Sequence, residues 1–454
     1  MRVQASKLDL LSKTTPPLPS SSPSISSLIF EPFSSSLALR LSDSSYLLLP
    51  SFFPLSSSPP SLPPTSVPPI SAASFLRLLP AGRVLFLAAA PIAAGAALAL
   101  RAWILLAEPP RFAAARLTYK KSSPASLPLA HGFGVQLAGA VNYFVVHAPA
   151  AGQIWIMAAR IEDGEKLCIE LVKCAVVECE LPIYSISVSP GVMVLGEMGG
   201  VRVFPLRPLV KGNEVKAKGN GPGVTSGNSV DRLMELRKSV VPNGVVASAS
   251  SLGRGGKAEL PKDGKAGGQN DQCKLRCARL HQKSGDFCSF PMELNSDNAT
   301  PESCTGARPS VKAISVQVLS QKQFLVLDTS GDLHLLTQSG RFTASETKAN
   351  SSGSSKFTNL NYLDLDMKLQ AFAVISGSEF VWITDGAYSV HVMSMIDIIS
   401  PDKDDNDKDV KEMKTILSAA QVIFTSEKVQ HMVALSANAV LVLGQTSVFA
   451  YSIL

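Results

Sequence analysis

Ile186–Phe204 reads ISVSPGVMVLGEMGGVRVF. Ile186 and Val188 alternate with serines, as in a strand with one covered face. Pro190-Gly191 then supplies a tight turn. Val192–Leu195 is an unbroken apolar run, the mark of a strand buried on both faces. Met198-Gly199-Gly200 turns the chain again, because glycine takes positive φ at no steric cost. Val201 and Val203 resume the alternation. The stretch therefore predicts three short antiparallel strands in succession.

The same hairpin recurs along the chain. Its clearest copies are Phe324–Thr337 (FLVLDTSGDLHLLT), Phe380–Met393 (FVWITDGAYSVHVM) and Val440–Ile453 (VLVLGQTSVFAYSI). Earlier copies are Tyr143–Met157 (YFVVHAPAAGQIWIM) and, more loosely, Val84–Leu100 (VLFLAAAPIAAGAALAL). First arms begin at 84, 143, 192, 324, 380 and 440, so the steps are 59, 49, 132, 56 and 60 residues. Four steps lie near the ~40–50 residue period of propeller blades. Further strands fit between the hairpins at Cys168–Val177, Ile183–Val188, Gln421–Thr425 and His431–Leu435. Each unit then holds four strands, as a blade requires.

Ile186–Phe204 resembles the repeats of the WD40-like β-propeller superfamily, and the resemblance spans about residues 80 to 454 less an insertion. The Gly-His and Trp-Asp signatures are absent, and Phe204 falls near the place of the signature Trp. None of that family's structural network is carried over. The resemblance implies a disc of six or seven blades with a binding face and little chemistry of its own. The expected fold is thus all-β, with about six, alternatively seven, four-stranded blades. The last unit stops at Leu454 after its third strand. An N-terminal strand is expected to complete it and cover the open edge, with Leu37–Leu41, Tyr46–Leu49 and Phe75–Leu79 as candidates.

The rest divides by composition. Residues 1–74 contain 22 Ser and 13 Pro, a density that removes backbone donors and forbids long helices. They read as a disordered leader, alternatively a plastid transit peptide. Blades are expected over 75–207 and 301–454. Residues 208–300 break the repeat. Between Arg207 and Lys283 stand 15 Lys and Arg against six Asp and Glu, which predicts a disordered basic loop. A short helix is expected there at Val230–Val240. Val84–Ala107 has the length of a membrane span. Against spanning, Pro91 and Gly95 interrupt it, and Arg101 would cost about 2.5–3.5 kcal/mol in the hydrocarbon. A membrane helix over 84–107 with a small β domain beyond is the alternative architecture.

Hydrophobic residues make up 46% of the chain and charged residues 17%, with a net charge of +6. A large core is affordable, and the charge alone does not indicate nucleic-acid binding. Seven cysteines, an odd number, point to a reducing compartment, cytoplasm or nucleus. The sequons at Asn298 and Asn350 point weakly the other way.

Candidates for chemistry are few. Cys273, Cys277, His281 and Cys288, with Cys304 beyond, are the nearest approach to a zinc set. Cys273, Cys277 and His281 recur every four residues and would share a helix face, but no pair of CxxC knuckles is present. Unliganded thiols are the better reading. Cys168, Cys174 and Cys179 lie along expected strands and read as core. His334 and His391 occupy equivalent second arms and read as repeated structural positions. Asp364 and Asp366 read as an exposed rim. No phosphate-binding loop or Ser-His-Asp arrangement can be assembled, so no catalytic residue and no cofactor is expected. The expected function is a non-catalytic scaffold that binds proteins through its loops and the basic insertion. A propeller enzyme with a site in the central channel is a second alternative. Neither nucleic acid nor a small-molecule substrate is expected as partner, and a membrane is the lesser alternative.

Overall fold

The computed structural model describes residues 2–11, 23–54, 62–120, 122, 124–130, 134–162, 167–211, 278–281, 288–291, 311–337, 359–395, 415–416 and 419–454. Its strands pair into seven four-stranded antiparallel units, taken in chain order as blades 1 to 7. Strands are lettered a to d within a blade, from the channel outward. Blade 1 spans residues 25–67, blade 2 residues 72–119, blade 3 residues 136–178 and blade 4 residues 183–291. Blade 5 spans residues 313–364 and blade 6 residues 371–424. Blade 7 takes strands a to c from His431–Ser436, Ala439–Leu443 and Val448–Ile453, and strand d from Val3–Leu8 at the other end of the chain.

The packing shows that the ring is closed. There are seven hydrophobic clusters, one at each junction between successive blades. The cluster that joins the ends sets Leu28, Leu37 and Leu39 of blade 1 against Leu441, Leu443 and Ala450 of blade 7. Every blade is therefore covered on both faces. Strand b, in the middle of this stack, needs apolar side chains in both directions. That is why Val192–Glu197 and Ala439–Leu443 are buried along their whole length.

All six first arms read from the sequence are b strands, beginning at Arg83, Tyr143, Val192, Gln323, Phe380 and Ala439. The expected extra strands also occur, as Cys168–Glu178, Ile183–Ser189, Ala419–Phe424 and His431–Ser436. Among the described residues the strands form seven blades, the higher of the two numbers expected. The additional blade lies in the Ser/Pro-rich segment, which corrects the expectation of a disordered leader over 1–74. Ile25–Glu31, Ser36–Leu41, Tyr46–Leu49 and Thr65–Val67 form blade 1. Its serines and prolines fall mostly in turns, while Leu37, Ala38, Leu39 and Leu48 are fully buried. The expectation of an N-terminal closing strand holds, but the strand is Val3–Leu8. Two of the three candidates belong to blade 1, and Phe75–Leu79 lies in strand a of blade 2 and the turn after it.

The alternative of a membrane helix over 84–107 is overturned. Arg83–Ile92 and Ala97–Ala107 are the central hairpin of blade 2, paired from Leu85↔Ile104 to Ile92↔Ala97. Arg101 sits on it as an exposed residue. Among the described residues no helix is long and apolar enough to cross a membrane.

Two glycines let blades approach. A Cβ on Gly139 would stand 2.2 Å from the Phe75 carbonyl oxygen, and one on Gly196 would stand 2.4 Å from the Ala313 carbonyl oxygen. Both lie where a strand of one blade meets strand a of a neighbour, so a side chain there would push blades apart. Two blades share more than a core. Strand d of blade 2 pairs in parallel with strand d of blade 3, through Arg116–Tyr119 and Cys168–Leu171.

Candidate interaction surface

Strand alternation gives the ring two unlike faces. One carries the a–b turns and the c–d connections. It carries four long connections: Leu49 to Thr65, Pro205 to Cys288, Thr337 to Asn359 and Ser394 to Ala419. The other carries the b–c turns, which are short in every blade, and the linkers between blades.

In blades 4, 5 and 6 an acid at the end of strand b, or just past it, precedes a base near the start of strand c by five or six residues. The pairs are Glu197 with Arg202, Asp328 with His334, and Asp385 with His391. Arg202 Nε donates to Glu197 Oε1 at 2.6 Å, with both side chains buried. Asp328 Oδ2 lies 2.9 Å from His334 Nε2, while its Oδ1 accepts from the Ser330 and Asp332 amides. Burial pushes the Asp328 carboxyl up, but the bonds from His334 and the turn amides outweigh it and hold it below its ordinary value. In blade 6 the arrangement is looser. Asp385 Oδ1 accepts from the Ala387 amide, and His391 Nε2 bonds the Ser389 hydroxyl at 3.0 Å. Burial lowers His391, and Asp385 opposes that shift. Blade 7 holds its turn from outside. Glu427, in the preceding linker, accepts from the Thr446 amide at 2.7 Å and the Thr446 hydroxyl at 2.8 Å. Burial raises this carboxyl, but the bonds from Thr446 and Ser447 together prevail and bring it to about 2.

Glu197, Arg202, Asp328, His334 and Glu427 are engaged in holding turns. What the turns present outward is Thr329, Asp385, Tyr388, Gln445 and Thr446, all exposed. Tyr388 is 51% exposed. Aromatic side chains on rigid supports suit protein contact, since little rotamer entropy is lost on binding.

His147, in strand b of blade 3, is a different case. It is buried, and its Nδ1 has no partner. Desolvation lowers its pKa from 6.5 to about 4. The unfolded chain binds a proton there below pH 6.5, and the folded chain does not until about pH 4. The stability is complete above pH 6.5 and drains away as pH falls through that window. The difference corresponds to about 3 kcal/mol. His147→Leu should remove that share of the acid sensitivity, read as urea midpoints at pH 7 and pH 4.

Off-centre in the channel lies a cavity of about 600 Å³, lined by strands a of blades 1, 5, 6 and 7. Phe30, Ile314, Phe372 and Met432 line it, with Gln317, Gln370 and His431 as the larger polar groups. No Asp, Glu, Lys or Arg is among its lining residues. His431 is lowered by burial, and its Nδ1 is without a partner. General acid–base work in this cavity would fall to that one imidazole.

The structure describes two of the candidate zinc ligands, on strands that pair with different blades. His281 ends a short strand, Ala278–His281, paired in parallel with strand d of blade 3 at Glu178. Cys288 begins strand d of blade 4, opposite Val203. The expected helical register does not extend to His281, because Ala278–His281 is extended. Cys273, Cys277 and Cys304 lie outside the described residues, as do Val230–Val240, both sequons and most of 208–300. Cys168 and Cys174 are buried and Cys179 half-buried, on or beside strand d of blade 3. Burial, with Glu197 adding and Arg202 opposing, pushes the Cys179 thiol up to about 11. His334 and His391 are equivalent positions, opposite Val326 and Ile383. The acid before each turn was not legible in advance, because the pairing became visible only once the hairpin registers were aligned. Asp364 ends strand d of blade 5, and Asp366 lies exposed in the linker that follows.

The chain is similar in fold to solved β-propellers. The β-propeller domain of Cps50 (Swd1) from Myceliophteria thermophila is 8% identical, with a TM-score of 0.47 over 99% of this chain and 100% of that one. The WD40 repeats of RRP9 are 8% identical, with a TM-score of 0.45 over 96% of each chain. U3-55K is 9% identical, with a TM-score of 0.42 over 96% of this chain and 97% of that one. No family model matches the chain, and no curated protein matches its sequence.

Proposed function

We propose that the chain is a non-catalytic scaffold that docks protein partners on its short-turn face, over blades 4 to 6. The observation that carries this reading is the run of b–c turns held from beneath by Glu197–Arg202 in blade 4, Asp328–His334 in blade 5, and the Thr384 and Ser389 hydroxyls with His391 in blade 6. Loops fixed in this way form a surface that loses little entropy when a partner binds. Tyr388 is an exposed aromatic group in the blade 6 turn of this face, and Asp385 in the same turn is an exposed acid. The odd count of seven cysteines fits a reducing compartment, cytoplasm or nucleus. The basic stretch between Arg207 and Lys283 issues from the opposite face and serves as a separate tether.

Affinity purification with mass spectrometry tests this on three versions of the chain: intact, lacking 212–277, which spares Ala278–His281 and Cys288–Pro291, and carrying Tyr388→Asp. The reading predicts that the partner set survives the deletion and is lost with Tyr388→Asp. Partners that vanish with the deletion and persist with Tyr388→Asp would move docking to the basic segment and overturn it.

A further inference from the structure

The outer strands of a propeller are sheet edges, with backbone N–H and C=O groups open to any passing strand. In this ring nearly all of them are protected. Strand d of blade 1, Thr65–Val67, is short and bracketed by Pro63, Pro64, Pro68 and Pro69. Strand d of blade 2 carries Arg111 and Arg116 and is partly covered by that of blade 3. Strand d of blade 3 carries Glu170, Lys173 and Glu178 and is covered by Ala278–His281. That of blade 4 is four residues long and ends in Pro291. That of blade 5 ends in Asp364, where Thr415–Ile416 covers it. That of blade 7 carries Lys7.

Strand d of blade 6 differs. Ala419–Phe424 reads AAQVIF, with no charge and no proline. Among the described residues no strand pairs with its outer edge. Phe424 is 81% exposed and Val422 38% exposed, while Ile423 between them is buried. The inner pairing fixes which backbone groups are free. The Thr425 amide bonds the Tyr388 carbonyl, and Ile423 and Gln421 stand opposite Val390 and Val392. In an antiparallel ladder the groups alternate. The N–H and C=O of Val422 and Phe424 therefore point outward.

This edge is complementary to itself. About a two-fold axis through Ile423, a second copy runs antiparallel with Val422 opposite the other Phe424 and Phe424 opposite the other Val422. Both are then hydrogen-bonded pairs, which engages all four outward N–H groups and all four outward C=O groups. The two exposed apolar side chains of each copy meet on one face, as cross-strand pairs that stabilise a sheet. Ile423 meets its own copy at the non-bonded position between them. We infer that the chain forms a two-fold dimer in which strands d of blade 6 from two copies join edge to edge at Val422–Phe424. This inference is independent of docking on the short-turn face.

Sedimentation velocity of the full chain from about 1 to 100 μM tests it. The sedimenting mass should double across that range. Val422→Lys and, separately, Phe424→Ser should each hold the chain at the mass of one copy, with the melting midpoint of the dilute protein unchanged because both side chains are exposed. Hydrogen exchange of intact protein gives a second readout. The Val422 and Phe424 amides should gain protection as concentration rises. A chain that stays at single-copy mass throughout overturns the inference. So does a dimer that persists in both variants, because its interface then lies elsewhere.

Discussion

Deleting residues 1–8 should destabilise the ring by about 5 kcal/mol, since the strand it removes makes a six-residue ladder and each hydrogen bond is worth about 1 kcal/mol. The loss is more than local. Val3 packs against the cluster between blades 6 and 7, and Leu8 against the cluster between blades 7 and 1. Without the strand, Val448–Ile453 becomes an outer edge of sequence VFAYSI, with no charge to discourage pairing with another chain. The thermal midpoint should fall by roughly 10 °C, and the truncated chain should aggregate on heating. Differential scanning calorimetry with light scattering reads both. A truncated chain that melts with the intact one would mean that the ladder Val3↔Ile453 to Leu8↔Val448 contributes nothing.

Arg202→Ala should cost about 3–5 kcal/mol, the range for stranding one partner of a buried ion pair. Both side chains are nearly inaccessible, at 3% and 5% exposure. The guanidinium also lies over the Phe204 ring, 5.3 Å from its centroid. Its removal leaves the Glu197 carboxylate dry beneath the turn of blade 4. Replacing the pair together, as Glu197→Leu with Arg202→Met, should recover much of the loss, because two charges no longer need to be desolvated. Urea unfolding of the single and double variants measures the difference. If Arg202→Ala unfolds with the intact protein, the turn is not held by this pair.

The legible part of this fold was its b strands. A strand covered on both faces must be apolar throughout, so FLVL at Phe324–Leu327 and VLVL at Val440–Leu443 announce themselves without an alignment. Blade 1 obeys the same rule, with SLALRL and YLLL buried in the same way. It was hidden because its turns and long connection are crowded with serine and proline, and composition averaged over 1–74 masks strands of three to seven residues. The spacing carried the signal. Leu37 precedes Val84 by 47 residues, one blade period. Val3–Leu8 was harder still. VQASKL is half-exposed and nearly patternless, and its place is set by the unpaired edge of Val448–Ile453 rather than by its own residues.

The turn pairs were half legible. His334 and His391 could be matched by hairpin position, but Arg202 could not, since the turn of blade 4 is two residues long where those of blades 5 and 6 are three. The self-complementary rim of blade 6 was in plain view as QVIFT. Its meaning depends on knowing that every other outer strand carries a charge, a proline or a covering strand, and that is a property of the assembled ring.

Hydrogen–deuterium exchange over residues 2–11 of the intact chain tests ring closure most directly. The closed seven-bladed ring predicts that the amides of Val3–Leu8 bonded to strand c of blade 7 exchange as slowly as those of Val448–Ile453, and lose protection in the same transition. Full exchange of the whole segment at the earliest time, with Val448–Ile453 still protected, would show that the chain's two ends do not meet.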